Sequence, residues 1–243
     1  MKKTIIALMA LAGVAGAATK TLWTVDFGTE YQSTGYYKIT SGAYDYKITQ
    51  SWDMDANYFV SGGVTSAAGH RPHIRGNTGV TWDDDFAFTL TFTVPSENIS
   101  ASNNWPVIAG LEENTLRFGP YTGNGNVIDL DGSISKVSGQ TYTLTGGTHT
   151  AILSVVDRVV SLTIDGTLAA TATLNDGLSG AISNITLGGG GGSDYRINET
   201  IHSMSMSLIV PDPVDPSPSI PEPATATLSL LALAGLAARR RRK

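Results

Sequence analysis

Strict alternation of apolar and polar residues is the feature that most constrains this chain. In residues 86–94 every second position is Phe, Leu or Val, and the positions between them are Ala or Thr. Successive side chains of a β-strand point to opposite faces, so this period of two places Phe86, Phe88, Leu90 and Phe92 on one face. No long stretch of the middle of the chain shows the 3.6-residue period of a helix. The segment is therefore predicted to be a strand that lies on a hydrophobic core.

A meander of three antiparallel strands is predicted in the second half of the chain. Residues 150–156 and 159–164 are rich in apolar and β-branched residues and flank a tight turn at Asp157-Arg158. Asp165-Gly166 is a second hairpin signal, because glycine accepts the positive φ that such turns need. Residues 167–174 then form the third strand.

About a dozen short strands separated by Gly, Asn and Asp turns are expected in all. In the last of them His202, Met204 and Met206 are expected on one face, and Ser203 and Ser205 on the other. This pattern predicts an all-β fold, an antiparallel β-sandwich of the jelly-roll type. The remaining strands are expected at residues 20–27, 36–48, 57–60, 107–111, 115–118, 127–130, 142–145, 184–187 and 201–210.

The N-terminal segment has the features of a secretory signal peptide. Lys2 and Lys3 precede an unbroken helical run of apolar and small residues that ends at Ala18. A positive region, an apolar region and small residues in this order direct a chain across the inner membrane and are then removed. Residues 1–17 are predicted to be this signal, with cleavage after Ala17 and with Ala18 as the next candidate site.

The C-terminal end combines a spacer, an apolar segment and a basic tail. Residues 211–223 contain six prolines, which fix φ and donate no backbone hydrogen bond, so residues 211–220 are interpreted as an extended linker. Residues 224–238 are uncharged and would span about 22 Å as a helix, less than the roughly 30 Å of a bilayer core. A short membrane helix is predicted, with the domain outside and the basic tail, Arg239, Arg240, Arg241, Arg242 and Lys243, inside.

Pro221-Glu222-Pro223, the apolar segment and the arginine cluster together resemble the PEP-CTERM sorting signal of Gram-negative bacteria. The resemblance covers residues 221–243. It implies processing near Pro-Glu-Pro by an exosortase, a membrane transpeptidase-like enzyme. It also implies a destination at the cell surface, in the outer envelope or in the extracellular matrix. The alternative is a plain single-span anchor.

The charge and the cysteine content of the middle region exclude several classes of function. Residues 18–220 carry 9 basic and 20 acidic residues, a net charge of −11. This balance argues against nucleic acid as a partner, because binding to phosphates needs a basic face. The chain has no cysteine, which excludes a disulfide framework and thiol catalysis.

The middle region, predicted to be one domain over residues 18–210, resembles the laminin-G-like or concanavalin A-like lectin/glucanase sandwich. The family's Phe-x-Phe-x-Leu-x-Phe strand is matched by residues 86–92. Its later pattern of a His-x-Ala strand, an Asp-Gly turn and a strand with Ala is matched by His149, Ala151, Asp165-Gly166 and Ala169. The tryptophan that usually precedes the histidine is missing. The resemblance implies the scaffold, and a scaffold alone does not determine a function.

Catalytic residues are not evident from the sequence. Retaining glycosidases hold two carboxyls about 5 Å apart, and the concanavalin-like glucanases place them on a Glu-x-Asp-x-x-Glu strand, which is absent here. Glu112 and Glu113 are adjacent and point to opposite sides of a strand. The four histidines, His70, His73, His149 and His202, show neither a triad order nor three zinc ligands. His149 is interpreted as a structural residue at the start of a strand.

Calcium is the metal that the loops could hold. Hard cations prefer carboxylate, amide and carbonyl oxygens, and such groups cluster at Asn126, Asp129 and Asp131 and again at Asp83 and Asp85. Laminin-G-like domains often hold calcium at the rim of the sandwich, so the resemblance favours such a site. Neither cluster has the full pattern of an EF-hand loop.

Sugar binding would use aromatic rings together with polar loop side chains. Trp105, Tyr121 and Trp82 are the candidates, and a core position for Trp82 or Trp105 is the alternative. The function predicted from these features is non-enzymatic binding of polysaccharide or matrix at the cell surface, in adhesion or envelope structure. A glycoside hydrolase or lyase with diverged acids and a purely structural coat protein are the two alternatives.

Overall fold

The computed structural model describes the strands of the middle region and the turns that join many of them. No described residue belongs to a helix long and apolar enough to cross a membrane. Residues 1–16 of the predicted signal and residues 224–238 of the predicted membrane helix lie outside the described ranges, as does the proline-rich linker from residue 212 onward. Ala17, the last residue of the predicted signal, begins the first described strand. The described ranges are 17–27, 37–41, 44–48, 59–60, 62–65, 73–95, 107–112, 115–121, 127–137, 142–188 and 199–211.

All regular structure in these ranges is β-strand, and the predicted all-β antiparallel sandwich is confirmed. The strands are β1 Ala17–Asp26, β2 Tyr37–Ser41, β3 Tyr44–Ile48, β4 Phe59–Val60, β5 Gly63–Thr65, β6 His73–Arg75, β7 Phe86–Val94, β8 Ala109–Leu111, β9 Leu116–Tyr121, β10 Val127–Gly132, β11 Ile134–Val137, β12 Tyr142–Thr143, β13 Gly147–Val156, β14 Val159–Ile164, β15 Thr167–Leu174, β16 Asn184–Leu187 and β17 Thr200–Pro211.

The larger sheet joins the meander to the two ends of the domain. Its order among the described strands is β11-β15-β14-β13-β7-β17-β5-β4, and β1 also pairs with β17. The three-strand meander is present as β13, β14 and β15, with Asp157-Arg158 and Asp165-Gly166 as its turns. Both residues of each turn have a positive φ, which matches the right-handed twist of the flanking strands.

The second sheet of the sandwich has the order β12-β10-β9-β8-β16-β6 among the described strands. The chain passes from it to the larger sheet at Ser133, between β10 and β11. A separate hairpin is formed by β2 and β3.

One continuous core lies between the two sheets. The alternating residues of β7 all face it, because Phe86, Phe88, Leu90 and Phe92 are at most 1% exposed. Ile128, Leu130, Leu116 and Phe118 meet them from the second sheet, and Trp23 of β1 donates a hydrogen bond from Nε1 to the carbonyl of Thr78 at 2.8 Å. Burial of apolar surface on this scale contributes most of the stability of a domain that has no disulfide.

A β-bulge in the last strand makes the predicted orientation of His202 wrong. Ile201 pairs with Phe92 and Ser203 pairs with Thr91, so His202 is the additional residue between them. Ile201, Met204 and Met206 are buried in the core, and the ring of His202 reaches Thr93 on the outer side. The predicted alternation placed His202 with Met204 and Met206, and it failed because one extra residue in a strand reverses the facing of its neighbours.

Candidate functional site

The two ends of the sandwich are convenient reference points for the polar residues. The exit end is defined here as the end at which β17 finishes, with the turns at Asp157-Arg158 and Glu112. The far end is defined as the end at which β7 finishes at Val94 and β13 begins at Gly147, with the turn at Asp165-Gly166. Since β1 runs antiparallel to β17, its first residue, Ala17, also lies at the exit end.

The predicted calcium ligands Asp129 and Asp131 lie on β10, and each is paired with a cation. Asp129 Oδ2 accepts a hydrogen bond from Lys136 Nζ at 2.7 Å, and Asp131 Oδ2 accepts from both Nε and Nη2 of Arg117. These pairs join β10 to β11 and β9. Asn126 lies outside the described residues. Both carboxylates therefore already have positive partners within the scaffold.

The aspartates before β7 stabilise turns at the exit end. Asp84 Oδ2 accepts hydrogen bonds from the backbone N–H of Thr81 at 2.8 Å and from its hydroxyl at 2.9 Å. Asp85 Oδ1 accepts from the N–H of Asp157 at 2.8 Å, and Asp83 lies 3.8 Å from Arg158. In the described part of the chain no group of three or more His, Asp or Glu residues is placed to hold a metal ion. Calcium binding stays a prediction.

The three aromatic candidates have different positions. Trp82 is 3% exposed and packs edge-on against Phe86, with ring centroids 6.3 Å apart. A ring in the core offers no face to a sugar, so this placement corrects the ligand-binding role predicted for Trp82 and supports the core alternative. Tyr121 ends β9 at the far end. Trp105 lies outside the described residues.

His149 and Asp165 form a polar cluster at the far end that joins β13 to the turn between β14 and β15. His149 Nδ1 lies 2.7 Å from Asp165 Oδ2, and His149 Nε2 lies 2.9 Å from the carbonyl of Thr145. The other carboxylate oxygen of Asp165 accepts from the N–H of Thr150 at 2.8 Å. His149 is buried and its ring tilts against Phe92 at 5.7 Å. The structural role predicted for His149 agrees with this placement.

The hydrogen-bond partners of His149 restrict its chemistry. A carboxylate and a carbonyl oxygen both accept, so both bonds form fully only when both ring nitrogens carry a proton. Because Nε2 is engaged with Thr145, this nitrogen is not free to take a proton from a bound molecule in the described arrangement. The pair therefore differs from the histidine and carboxylate of a catalytic triad, in which Nε2 faces a nucleophile.

Tyr142 extends this cluster to the surface. Its hydroxyl lies 3.4 Å from Asp165 Oδ2, and the side chain of Asp165 is 43% exposed. Partial burial, followed by the negative charge of Asp165 and the hydrogen bond to it, raises the pKa of Tyr142 above its ordinary value. Exposed hydroxyls surround the cluster, on Thr143, Thr145, Thr148 and Thr167.

A second polar chain at the far end joins β13, β7 and β17. Thr148 Oγ1 lies 2.7 Å from Thr93 Oγ1, which lies 2.7 Å from His202 Nε2, and His202 Nδ1 donates to the carbonyl of Gly62 at 2.6 Å. A neutral imidazole satisfies all three contacts, because Nε2 can accept from Thr93 while Nδ1 donates. Neither this network nor the His149 cluster could be predicted from the sequence, because each depends on strand register.

Glu112 is a residue whose role sequence reasoning missed. It has a positive φ of 48°, and its Oε1 accepts hydrogen bonds from the N–H of Ser183, the hydroxyl of Ser183 at 2.9 Å and the N–H of Asn184 at 2.9 Å. The carboxylate thereby holds the β8–β9 turn against the start of β16 at the exit end. Glu113 lies outside the described residues.

Comparison with known proteins identifies the C-terminal signal. A model of the PEP-CTERM protein-sorting motif matches residues 219–243, which confirms the resemblance found in the sequence. Such motifs are processed by exosortases and mark exported proteins that are sorted to the cell surface of Gram-negative bacteria. No curated protein matches the sequence.

The domain resembles solved β-sandwich structures at low identity. A Trypanosoma rangeli sialidase in complex with 2,3-difluoro-KDN matches with a TM-score of 0.51 and 13% identity, over 76% of this chain and 30% of the sialidase. The receptor-binding domain of botulinum neurotoxin D gives 0.48 and 13%, over 79% and 49%. The galectin LEC-6 of Caenorhabditis elegans gives 0.36 and 12%, over 58% and 94%. The chain thus spans less than a third of the sialidase, and that match shows a shared fold alone.

Proposed function

We propose that this chain is an exported surface protein whose sandwich domain binds glycan or matrix at its far end, without catalysis, in adhesion or envelope structure. The observation that carries the proposal is the division of the domain into an end that leads to the sorting motif and an opposite end rich in exposed hydroxyls. The partners are a polysaccharide or glycan, an exosortase-type enzyme, and the membrane through the C-terminal helix.

Export rests on both terminal signals. The signal peptide is assigned to residues 1–17, the domain to 18–210, the linker to 211–220 and the sorting signal to 221–243. Since β1 begins at Ala17, cleavage after Ala17 leaves every later residue of that strand in the mature protein. The protein is then displayed at the cell surface, in the outer envelope or in the extracellular matrix of a Gram-negative bacterium.

Binding at the far end is supported by the chemistry of its exposed groups. Sugar hydroxyls are recognised by a few fixed polar groups, and the carboxylate of Asp165 is fixed by His149 and by the N–H of Thr150. The hydroxyl of Tyr142 and the exposed threonines lie around it. Tyr121, the last residue of β9, lies at the same end.

A non-catalytic role is supported by the way the described acids are used. Asp129 and Asp131 are paired with Lys136 and Arg117, and Glu112 accepts backbone hydrogen bonds. A glycoside hydrolase needs one carboxyl to donate a proton and a second to act as nucleophile or base. Each of these three carboxylates instead has a partner within the scaffold.

The test is retention of the purified full chain on a panel of polysaccharides and on a glycan array. Lysine substitutions at two exposed far-end positions, Thr143→Lys and Thr145→Lys, are expected to reduce retention at least tenfold, about 1.4 kcal/mol. Ser179→Lys, an exposed position at the exit end, is the matched control and is expected to have no effect.

Equal loss in the control and in the far-end variants would contradict the far end as the binding site. Retention no better than that of heat-denatured chain would contradict glycan binding itself. Release of reducing ends from a polysaccharide, abolished by a single Asp→Asn substitution, would replace the proposal with the hydrolase alternative.

A further inference from the structure

The centre of the larger sheet carries no charged side chain. The neighbouring described strands β15, β14, β13, β7 and β17 contain no Asp, Glu, Lys or Arg, although residues 18–220 have a net charge of −11. The surface of a small domain normally has about 25–35% charged residues, which keep it soluble and prevent association. The side of these five strands that points away from the core lacks this protection.

Aliphatic side chains occupy the middle of this side. Six residues of β13, β14 and β15 point away from the core, because the residues between them are buried in it, and they are named here the outer face: Ile152, Ser154, Val156, Val159, Ser161 and Thr171. Val156 pairs with Val159, and Ser154 pairs with Ser161. The small Ser154–Ser161 pair therefore lies between Ile152 and the two valines. All six residues are at least partly exposed.

Val159 is the most exposed residue of the outer face. Its exposed fraction is 45%, and the other exposed large apolar side chain among the described residues is Val210 at 36%. Val210 continues the series Met206 and Leu208 on β17, which packs against the core, so it points to the opposite side of the sheet. The two valines therefore form a matched pair, one on the outer face and one away from it.

Charged groups begin where the strands turn. Asp85, Asp157 and Arg158 lie at the exit end, and Asp165 lies at the far end. The outer face thus has a neutral, partly apolar centre and a charged border along the ends of its strands. Depletion of charge in the centre with a polar rim is the composition that distinguishes protein–protein interfaces from the rest of a surface.

The charge of the domain indicates which partner protein suits this face. Two copies with a net charge of −11 each repel one another over most of their surfaces, but a contact through the outer face places no like charges opposite each other. A face without charged side chains cannot select a partner by opposite charge. It is complementary to itself, which is what the two-fold interface of a homodimer requires.

Sheet geometry limits the strength of such a contact. Five strands about 4.8 Å apart, with three rows of side chains about 6.7 Å apart, cover at most about 500 Å² per copy, or about 1,000 Å² for a pair. Ala87 and Ser207, which are 1% exposed, narrow the contact on the side of β7 and β17. Interfaces of this size belong to weak, reversible complexes.

We infer that the outer face is a contact between two copies of this chain, which form a weak two-fold dimer by packing larger sheet on larger sheet. Burial of the aliphatic side chains of both copies stabilises the dimer. The far end of each copy stays accessible, because the contact lies on the face of the sheet and not at the ends of its strands. The inference goes beyond the proposed function and does not depend on any glycan.

The first test is sedimentation equilibrium of the full chain, in a mild detergent that keeps its apolar tail soluble, from about 1 µM to about 1 mM. Val159→Asp is expected to weaken dimerisation at least tenfold, because it places one carboxylate from each copy in the contact and both lose hydration. Val210→Asp, the matched control, is expected to leave dimerisation unchanged.

The salt dependence distinguishes this contact from one held by ion pairs. Raising the salt concentration from about 0.1 M to about 1 M shortens the Debye length from about 10 Å to about 3 Å. Dimerisation is expected to strengthen several-fold, because the repulsion between the two acidic copies is screened and the outer face has no ion pair to lose. Weakening by salt would overturn the inference.

A second test uses the absence of cysteine from the chain. Ser161→Cys places a thiol in the middle of the outer face, and Ser179→Cys places one at an exposed position of the exit end. Because packed sheets lie about 10 Å apart, a bismaleimide of about this span is expected to join two copies through position 161. No such product is expected through position 179.

Other results would overturn the inference in distinguishable ways. A full chain that stays monomeric over the whole range would exclude the dimer and leave glycan binding untouched. Equal weakening by Val159→Asp and Val210→Asp would show that the copies associate elsewhere. Slow labelling of the Ser161→Cys variant by a monofunctional maleimide at every protein concentration would show that the chain itself covers the outer face.

Folding of the variants and the proposed function are checked separately. Thermal unfolding shows whether Val159→Asp is folded, and Thr171→Asp, a second position on the outer face, supplies the result if it is not. Failure to bind any polysaccharide by a chain that still dimerises would overturn the proposed function and leave this inference intact.

Discussion

At the exit end of the sandwich three described residues other than glycine have a positive φ, Glu112, Asp157 and Arg158, whereas at the far end Asp165 is in this class. The side chains of Glu112 and Arg158 both bond to neighbouring segments: Arg158 donates to the carbonyls of Leu178 at 3.2 Å and Asn175 at 2.6 Å. At the far end a compact pair, His149 and Asp165, lies among exposed hydroxyls. The comparison teaches that polar groups stabilise turns at both ends, and that at the far end the carboxylate that does so, Asp165, is still 43% exposed.

The largest effect is expected from Asp165→Ala, which tests whether the Asp165 carboxylate stabilises the polar cluster at the far end. The substitution leaves the buried ring of His149 and the N–H of Thr150 without an acceptor and should lower the free energy of unfolding by about 2–4 kcal/mol. Asp165→Asn keeps the size, the tolerance for positive φ and a neutral acceptor, and it should lose less. Urea unfolding measures both. A loss in the asparagine variant equal to that in the alanine variant would contradict this expectation, because it would show that a neutral acceptor cannot replace the carboxylate.

An intermediate effect is expected from substitutions of Arg158. They test whether the hydrogen bonds of its side chain offset the cost of its positive φ. Arg158→Ala removes the bonds to Leu178 and Asn175 but keeps a side chain at φ 64°, and a loss of about 1–3 kcal/mol is expected. Arg158→Gly removes the same bonds and relieves the backbone, so it should be about 1 kcal/mol more stable than the alanine variant. Chemical unfolding decides the order of the two variants. The reverse order would mean that Arg158 is not strained.

The smallest effect is expected from the ionisation of Tyr142. Its raised pKa means that the folded state holds the phenolic proton more tightly than the unfolded state does. The associated stability is present below about pH 10 and is lost as the pH rises through the folded pKa. Tyr142→Phe should therefore flatten the decline of the urea midpoint between about pH 9 and 11. A wild-type profile identical to that of the variant would show that folding does not raise the pKa of Tyr142.

Much of the fold could be predicted from the sequence because the signal was local. Strands β7, β14, β15 and β16 begin and end where alternation and turn residues placed them. Three strands were missed, β5, β6 and β11, each of three or four residues. Such segments are too short to show a period, and they pair through backbone groups that every residue has.

The candidate site was less predictable because it depends on distant contacts. Glu112 and Ser183 are 71 residues apart, and no sequence pattern connects them. His149 and Asp165 were recognised as separate features of a family pattern. Their contact follows from the register of β13 and β14, since Ala151 pairs with Ile164 and places both residues at one end. The bulge at His202 gave no sequence signal, because one inserted residue preserves the composition of a strand.

The position of β17 in the larger sheet has a consequence for how this protein can be made. It is the last described strand in the chain, yet it pairs with β7 on one side and with β5 and β1 on the other. Without residues 200–211, the strands β15-β14-β13-β7 and the pair β5-β4 have no strand between them, and the edges of β7 and β5 are left open. The larger sheet therefore needs the last described strand to be complete, and a chain truncated before residue 200 should be more sensitive to proteolysis than the full chain.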